Sequence, residues 1–103
     1  MYKLCFYVPQ THLESVKAAV FAVGAGRIGA YDSCCWEVKG QGQFRPLSGS
    51  RPFIGAQDVV ETVEEYRVEL VCADAHIHAA VAALKLAHPY EEPAYDVLRV
   101  EVF

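Results

Sequence analysis

His88-Pro89-Tyr90-Glu91-Glu92-Pro93-Ala94-Tyr95-Asp96 places one imidazole, two phenols and three carboxylates within nine residues. Each proline fixes its own φ and pushes the residue before it out of the helical region, so the segment is a stiff bracket. An imidazole nitrogen with carboxylate oxygens suits a divalent transition ion. His88, Glu91 and Glu92 are therefore the candidate metal ligands. The structural alternative makes His88 a helix C-cap favoured by the helix dipole, with both glutamates solvated or paired to arginine. A second set of groups lies in Gly40-Gln41-Gly42-Gln43-Phe44-Arg45-Pro46 and Arg51-Pro52-Phe53-Ile54-Gly55. There Arg45 and Arg51, on a loop framed by glycine and proline, can grip an anion. Arg45, Arg51, Tyr90 and Tyr95 are the candidate ligand-binding residues. Phe44, Phe53 and Ile54 on the same loop favour an interface over a free lid.

Other combinations are weaker. Gly24-Ala25-Gly26-Arg27-Ile28-Gly29 is a literal G-x-G-x-x-G. The dinucleotide fingerprint needs a strand before it and a helix after it, and here the order is reversed. Cys34 and Cys35 are adjacent in an expected strand, where neighbouring side chains point to opposite faces, so they do not chelate one ion. His76 and His78 stand two apart on a helix and do not face each other; with His12 they are expected at the surface. No Ser-His-Asp or Cys-His arrangement with a base and an oxyanion site emerges, so no catalytic residue is assigned.

The elements that must hold these groups follow from periodicity. Residues 2–8 alternate as a strand, with Leu4, Phe6 and Val8 on one face. Thr11 and Glu14 fit a capping box. A helix to about Val23 follows, its stripe Leu13, Val16, Val20 and Val23 ending at Gly24 and Gly26. A strand over about Tyr31 to Lys39 is expected to turn Cys34, Trp36 and Val38 inward and Cys35, Glu37 and Lys39 outward. An excursion over 40–59 carries part of a hairpin near residues 43–45. The next strand, about Thr62 to Cys72, sets Tyr66, Val68, Leu70 and Cys72 inward and Glu65, Arg67 and Glu69 outward. Asp74 caps a helix over 75–87 bearing Ile77, Val81 and Leu84. A last strand, about Tyr95 to Val102, is expected to bury Leu98, Val100 and Val102.

This order, β-α-β-β-α-β, is the ferredoxin-like split pattern: an α+β sandwich with a four-stranded antiparallel sheet and two helices on one face. The second sheet face, carrying Tyr7, Cys35, Glu65, Arg67 and Glu69, is neither polar nor apolar throughout, which suits burial against another subunit. A chain of 103 residues is expected to form one domain. Its net charge of −4, with no basic cluster, argues against nucleic acid, whose phosphates need grouped Lys and Arg. No apolar run reaches the ~20 residues of a membrane helix. The first strand lacks the charged segment of a signal peptide, so the expected location is cytoplasmic. The four cysteines are expected as buried thiols.

The glycine run with Ile28-Gly29-Ala30-Tyr31, Gly40-x-Gly42-x-Phe44-x-Pro46, Pro52, Ile54-Gly55, Glu65-x-Arg67-x-Glu69 and the 88–96 bracket together resemble the YqfO-type Nif-three-like family over nearly the whole chain. In that family the same domain also occurs as an insert in longer proteins. Its fold is similar to that of the CutA and PII-like proteins, which form trimers. The resemblance thus implies a PII/CutA-like fold and a homotrimer or higher homo-oligomer. The longer relatives carry a two-metal site of paired histidines and glutamates outside this domain, and this chain has no His-His pair. Their metal-dependent hydrolase role, including the GTP cyclohydrolase-like label, does not transfer. The first reading is therefore a small homo-oligomeric binding or regulatory module without catalysis. The second is a divalent-metal binder in the CutA manner through His88, Glu91 and Glu92. The third, less supported, is a metal-dependent hydrolase of a nucleotide-like molecule.

Overall fold

In a computed structural model describing all 103 residues, the chain forms β1 (Tyr2–Pro9), a 3₁₀ turn (Gln10–His12), α1 (Leu13–Ala22), β2 (Trp36–Phe44), β3 (Glu61–Cys72), α2 (Ile77–Ala87) and β4 (Tyr95–Arg99). The strands make one antiparallel sheet in the order β2-β3-β1-β4. The fold is the expected ferredoxin-like βαββαβ sandwich. Its core is the helix-facing side of the central strands, Leu4, Phe6 and Val8 against Val68, Leu70 and Cys72, closed by Val16 and Val20 of α1 and Ala80 and Leu84 of α2. Phe6 is completely buried at its centre; truncating such a side chain to alanine costs about 3–5 kcal/mol. No helix is long and apolar enough to cross a membrane. All four cysteines are free, but only Cys5 and Cys72 are buried as expected; Cys34 is half-buried and Cys35 exposed, because both precede the first paired residue of β2, Trp36.

Two strands lie in the opposite phase to the expected one. Trp36 is registered with Glu69 and Val38 with Arg67, so both point away from the helices and stay exposed. Glu37, registered with Val68, points toward the helices instead, where its carboxylate meets Lys17 Nζ at 2.6 Å. The same lysine also holds Glu14 at 2.9 Å. A charge can occupy this inner position because β2 is an edge strand and a lysine from α1 reaches it. In β4, Val97 is registered with Leu4 and Tyr95 with Phe6, and both pack on the core. Leu98 therefore projects from the outer face at 59% exposure. Val97 and Leu98 are both apolar, so alternation alone does not fix the phase; pairing with β1 does.

The helix ends also differ from expectation. A 3₁₀ turn precedes α1, and neither helix has a side-chain N-cap bond. Thr11 Oγ1 instead contacts His12 Nδ1 at 2.8 Å. Asp74 pairs with the N-terminal amine and with Arg99. The glycine run is a turn, as its inverted order implied. Gly26 adopts φ +75°, and a Cβ there would lie 2.8 Å from the Cys34 carbonyl oxygen.

The 40–59 segment is more ordered than a loose excursion. β2 and β3 pair continuously from Trp36–Glu69 to Phe44–Glu61. β1 pairs with β3 only over residues 65–72. The hairpin beyond Glu65 is thus a two-stranded arm, which is marginal in water unless something packs against it. The loop 45–60 at its tip folds back onto the corner between α2 and β4.

Candidate functional site

The corner is built on β1. The Tyr7 N–H donates to the Ala94 carbonyl oxygen at 3.3 Å, and the Tyr7 carbonyl accepts from His88 Nε2 at 2.7 Å. His88 ends α2 with ψ 137°, the extended conformation that Pro89 requires. The Tyr90 N–H donates to His88 Nδ1 at 3.1 Å, so Nδ1 is the bare nitrogen and Nε2 carries the proton. The ring is 6% exposed. Burial depresses its pKa below the ordinary range, the Tyr7 carbonyl opposing and His12 adding to the effect. His88 is a neutral post with both nitrogens engaged.

Above that post the Tyr90 ring stacks at 4.8 Å from the His88 ring, tilted by 58°. Phe44 and Phe53 approach Tyr90 at 6.2 and 6.3 Å. Phe53 meets His12 edge-on at 5.5 Å. The Arg51 backbone N–H donates to Glu91 Oε2 at 2.9 Å and ties the loop to the corner. Between loop and corner lies a cavity of about 420 Å³, walled by Tyr7, Phe44, Phe53 and Tyr90 with Arg45, Glu65, Glu91 and Glu92 at its polar edge. This is within the ~300–1,000 Å³ range of small-molecule sites.

Two polar groups inside it have unusual surroundings. Tyr90 Oη is shielded from solvent beside the Glu65 carboxylate, close enough to feel it electrostatically though not in good hydrogen-bond geometry. Burial, and after it the Glu65 carboxylate, push the phenol up to about 12. Burial also raises Glu65, with Tyr90 partly offsetting the effect. On the same strand Glu64 is held by Lys39 and Glu69 by Lys3 and Arg67, whereas Glu65 has no cation within ion-pair distance. Gly42 leaves room for this carboxylate: a Cβ there would fall 2.0 Å from Glu65 Oε1.

Of the residues expected from sequence, Arg45, Tyr90, Glu91 and Glu92 line the cavity. Arg51 enters through its backbone rather than its guanidinium. Tyr95 lies on the helix-facing side of β4, beneath Lys85 Nζ at 5.4 Å from the ring centroid, and does not line the cavity. His88, Glu91 and Glu92 do not form a ligand set: both His88 nitrogens are spent on the backbone, and no group of three or more His, Cys, Asp or Glu side chains comes together. Tyr7 and Glu65 are site residues that the motif reading passed over. Their signal was their shared outer-face phase, which the register turns into proximity: Pro9 is registered with Glu65 and Tyr7 with Arg67.

The comparisons agree with this architecture. No known family model matches the chain. It is 45% identical over 97 residues to a protein of Halalkalibacterium halodurans named GTP cyclohydrolase 1 type 2 homolog, covering 94% of this chain and 26% of that one. A protein of the same name in Mycobacterium tuberculosis is 52% identical over 96 residues, 92% of this chain and 25% of the relative. A solved Bacillus cereus protein related to NIF3 superposes with a TM-score of 0.84 at 37% identity, covering 98% of this chain and 26% of that one. CutA from Xylella fastidiosa superposes with a TM-score of 0.70 over 99% of this chain and 85% of its own, at 20% identity, a likeness of fold. The chain is homologous to one domain of Nif-three-like proteins and has the PII/CutA-like fold. It spans about a quarter of the length of the curated relatives it matches.

Proposed function

We propose that the chain is a homo-oligomeric module that binds a small organic molecule in the cavity between the 45–54 loop and the 90–94 corner, without catalysing a reaction on it. The observation that carries this reading is the cavity itself, a largely apolar hollow with Tyr7, Phe44, Phe53 and Tyr90 in its wall and, at its edge, the Glu65 carboxylate, which no cation of the chain pairs. A concave, mostly apolar hollow with a few polar groups at its edge is the usual form of a small-molecule site. The polar edge offers one guanidinium against three carboxylates, a poor cradle for a triphosphate. The GTP cyclohydrolase label belongs to relatives about four times as long, and nothing in this quarter of them supplies that chemistry.

Self-association has its own support. The outer sheet face presents a charged centre, Lys3, Arg67 and Glu69, internally paired at 3.0–3.1 Å. Trp36 at 69% and Val38 at 50% exposure flank it on one side and Leu98 on the other. Large apolar groups around an internally neutralised centre suit a second copy of the same face better than water.

A ¹⁵N-labelled chain titrated with small aromatic fragments tests the binding reading. Backbone shifts are expected to gather on Gln43–Arg45, Glu65 and Tyr90–Glu92. Shifts scattered over the surface, or gathered on another face, would reject the cavity as the binding site.

A further inference from the structure

The cavity's polar edge is specific enough to state what it binds. From its walls and charges the geometry points to a flat nitrogen heterocycle or aryl amidine, presenting two adjacent N–H donors to the Glu65 carboxylate while its ring lies against Phe44, Phe53 and Tyr90. This inference rests on the binding reading above and adds the chemical class of the ligand.

Three observations converge. Phe44 and Phe53, tilted by 49° and 45° against Tyr90, give one side of the wall ring edges and faces for a planar ring, and Pro46, Leu47 and Ile54 complete its apolar surface. Glu65 differs from its strand neighbours Glu64 and Glu69 in holding no cation of the chain. A carboxylate has two oxygens that accept side-by-side donors, and such charge-assisted pairs are the strong ones. Gly42 is the third: the space that lets the Glu65 carboxylate occupy its place exists only because position 42 has no Cβ.

Charge complementarity sets the sign. Arg45 is the only cation on a cavity wall that also carries Glu65, Glu91 and Glu92, of which Glu91 already accepts the Arg51 N–H. An anionic ligand would add to an existing excess of negative charge. A cationic or N–H-rich ring is drawn both by the carboxylates and by the aromatic faces.

Benzamidine, benzoate and benzyl alcohol share one ring and differ in charge and donor edge. Titrated into the ¹⁵N-labelled full chain, benzamidine is expected to shift Glu65 and Tyr90 and to bind at least ~10-fold more tightly than benzoate, the factor expected of a charge-assisted pair. Glu65→Gln is expected to weaken benzamidine about tenfold and to leave benzyl alcohol within about twofold. Gly42→Ala keeps every charge but displaces the carboxylate, and is expected to act in the same direction. Should either variant fail to fold, the ranking of the three probes on the unaltered chain still decides. If benzoate or benzyl alcohol binds in the cavity as tightly as benzamidine, the donor-edge inference is overturned while the binding site stands. If no probe shifts the cavity residues, the site and the inference fall together.

Discussion

Replacing His88 with alanine separates a structural post from a metal ligand. The imidazole is 6% exposed and makes two hydrogen bonds to the main chain, to the Tyr7 carbonyl at 2.7 Å and from the Tyr90 N–H at 3.1 Å. Its removal orphans one acceptor and one donor, each worth about 1–3 kcal/mol when left unsatisfied. Water entering the space recovers part of that cost, and lost packing adds to it, for a total of about 3 kcal/mol. Small domains have only about 5–15 kcal/mol in all. At about 4–8 °C per kcal/mol, Tm is expected to fall by roughly 12–24 °C. His88→Gln keeps a donor for the Tyr7 carbonyl and is expected to lose about half as much. Guanidinium unfolding at pH 7.5 measures both, with an unchanged slope showing that the folded state has kept its compactness. The pH dependence carries the same signature. Burial depresses the folded-state pKa of His88 below its unfolded value, so the folded state resists the proton. Its stability contribution is therefore intact above the ordinary histidine range, near 6.5, and is lost as pH falls below that toward the depressed folded value. This component is expected to vanish from the pH profile of His88→Gln. A His88→Ala variant within about 0.5 kcal/mol of the parent that has lost a bound transition metal would refute the reasoning.

Three further outcomes follow from the site and the outer face. Tyr90→Phe removes the hydroxyl that offsets part of the rise in the Glu65 pKa, and is expected to push that pKa further up in an NMR titration; an unchanged or lowered value would contradict the contact. Glu65 has its folded pKa raised by burial, so its ionisation opposes folding. Glu65→Gln is accordingly expected to be more stable than the parent at neutral pH, with the difference closing as pH falls into the ordinary carboxylate range; an unchanged gap at pH 3.5 would contradict this sign. Trp36→Glu is expected to dissociate the assembly in light scattering while shifting the stability of the isolated subunit by no more than about 0.5 kcal/mol.

Much of the fold was legible because the two central strands place their bulkiest apolar residues in one phase. Leu4, Phe6 and Val8 alternate with Lys3, Cys5 and Tyr7, and Val68 and Leu70 with Arg67 and Glu69, so the bulky aliphatic and Phe side chains outweigh Cys5, Tyr7 and Val71 in setting the phase. The edge strands lack that property. Trp36, Val38 and two glycines in β2, and the adjacent Val97 and Leu98 in β4, can be read in either phase. What decides is a lysine on α1 waiting for Glu37 and the pairing of Val97 with Leu4. The corner was visible through its prolines, and its contribution to the cavity through Tyr90, Glu91 and Glu92. Glu65 and Tyr7 were hidden because their proximity to Tyr90 arises across strands rather than along the chain. The role of His88 was hidden for a related reason: a residue type that binds metals also makes a good buried post, and the two partners that decide between them are backbone groups.

Native mass spectrometry of protein purified without chelator or affinity-column metal tests the central claim most directly. The account predicts an assembly of identical subunits carrying an organic mass, released on mild activation and absent from Gly42→Ala, with no change when EDTA is added. A bare monomer, or an assembly whose added mass is a transition metal that EDTA removes, would contradict it.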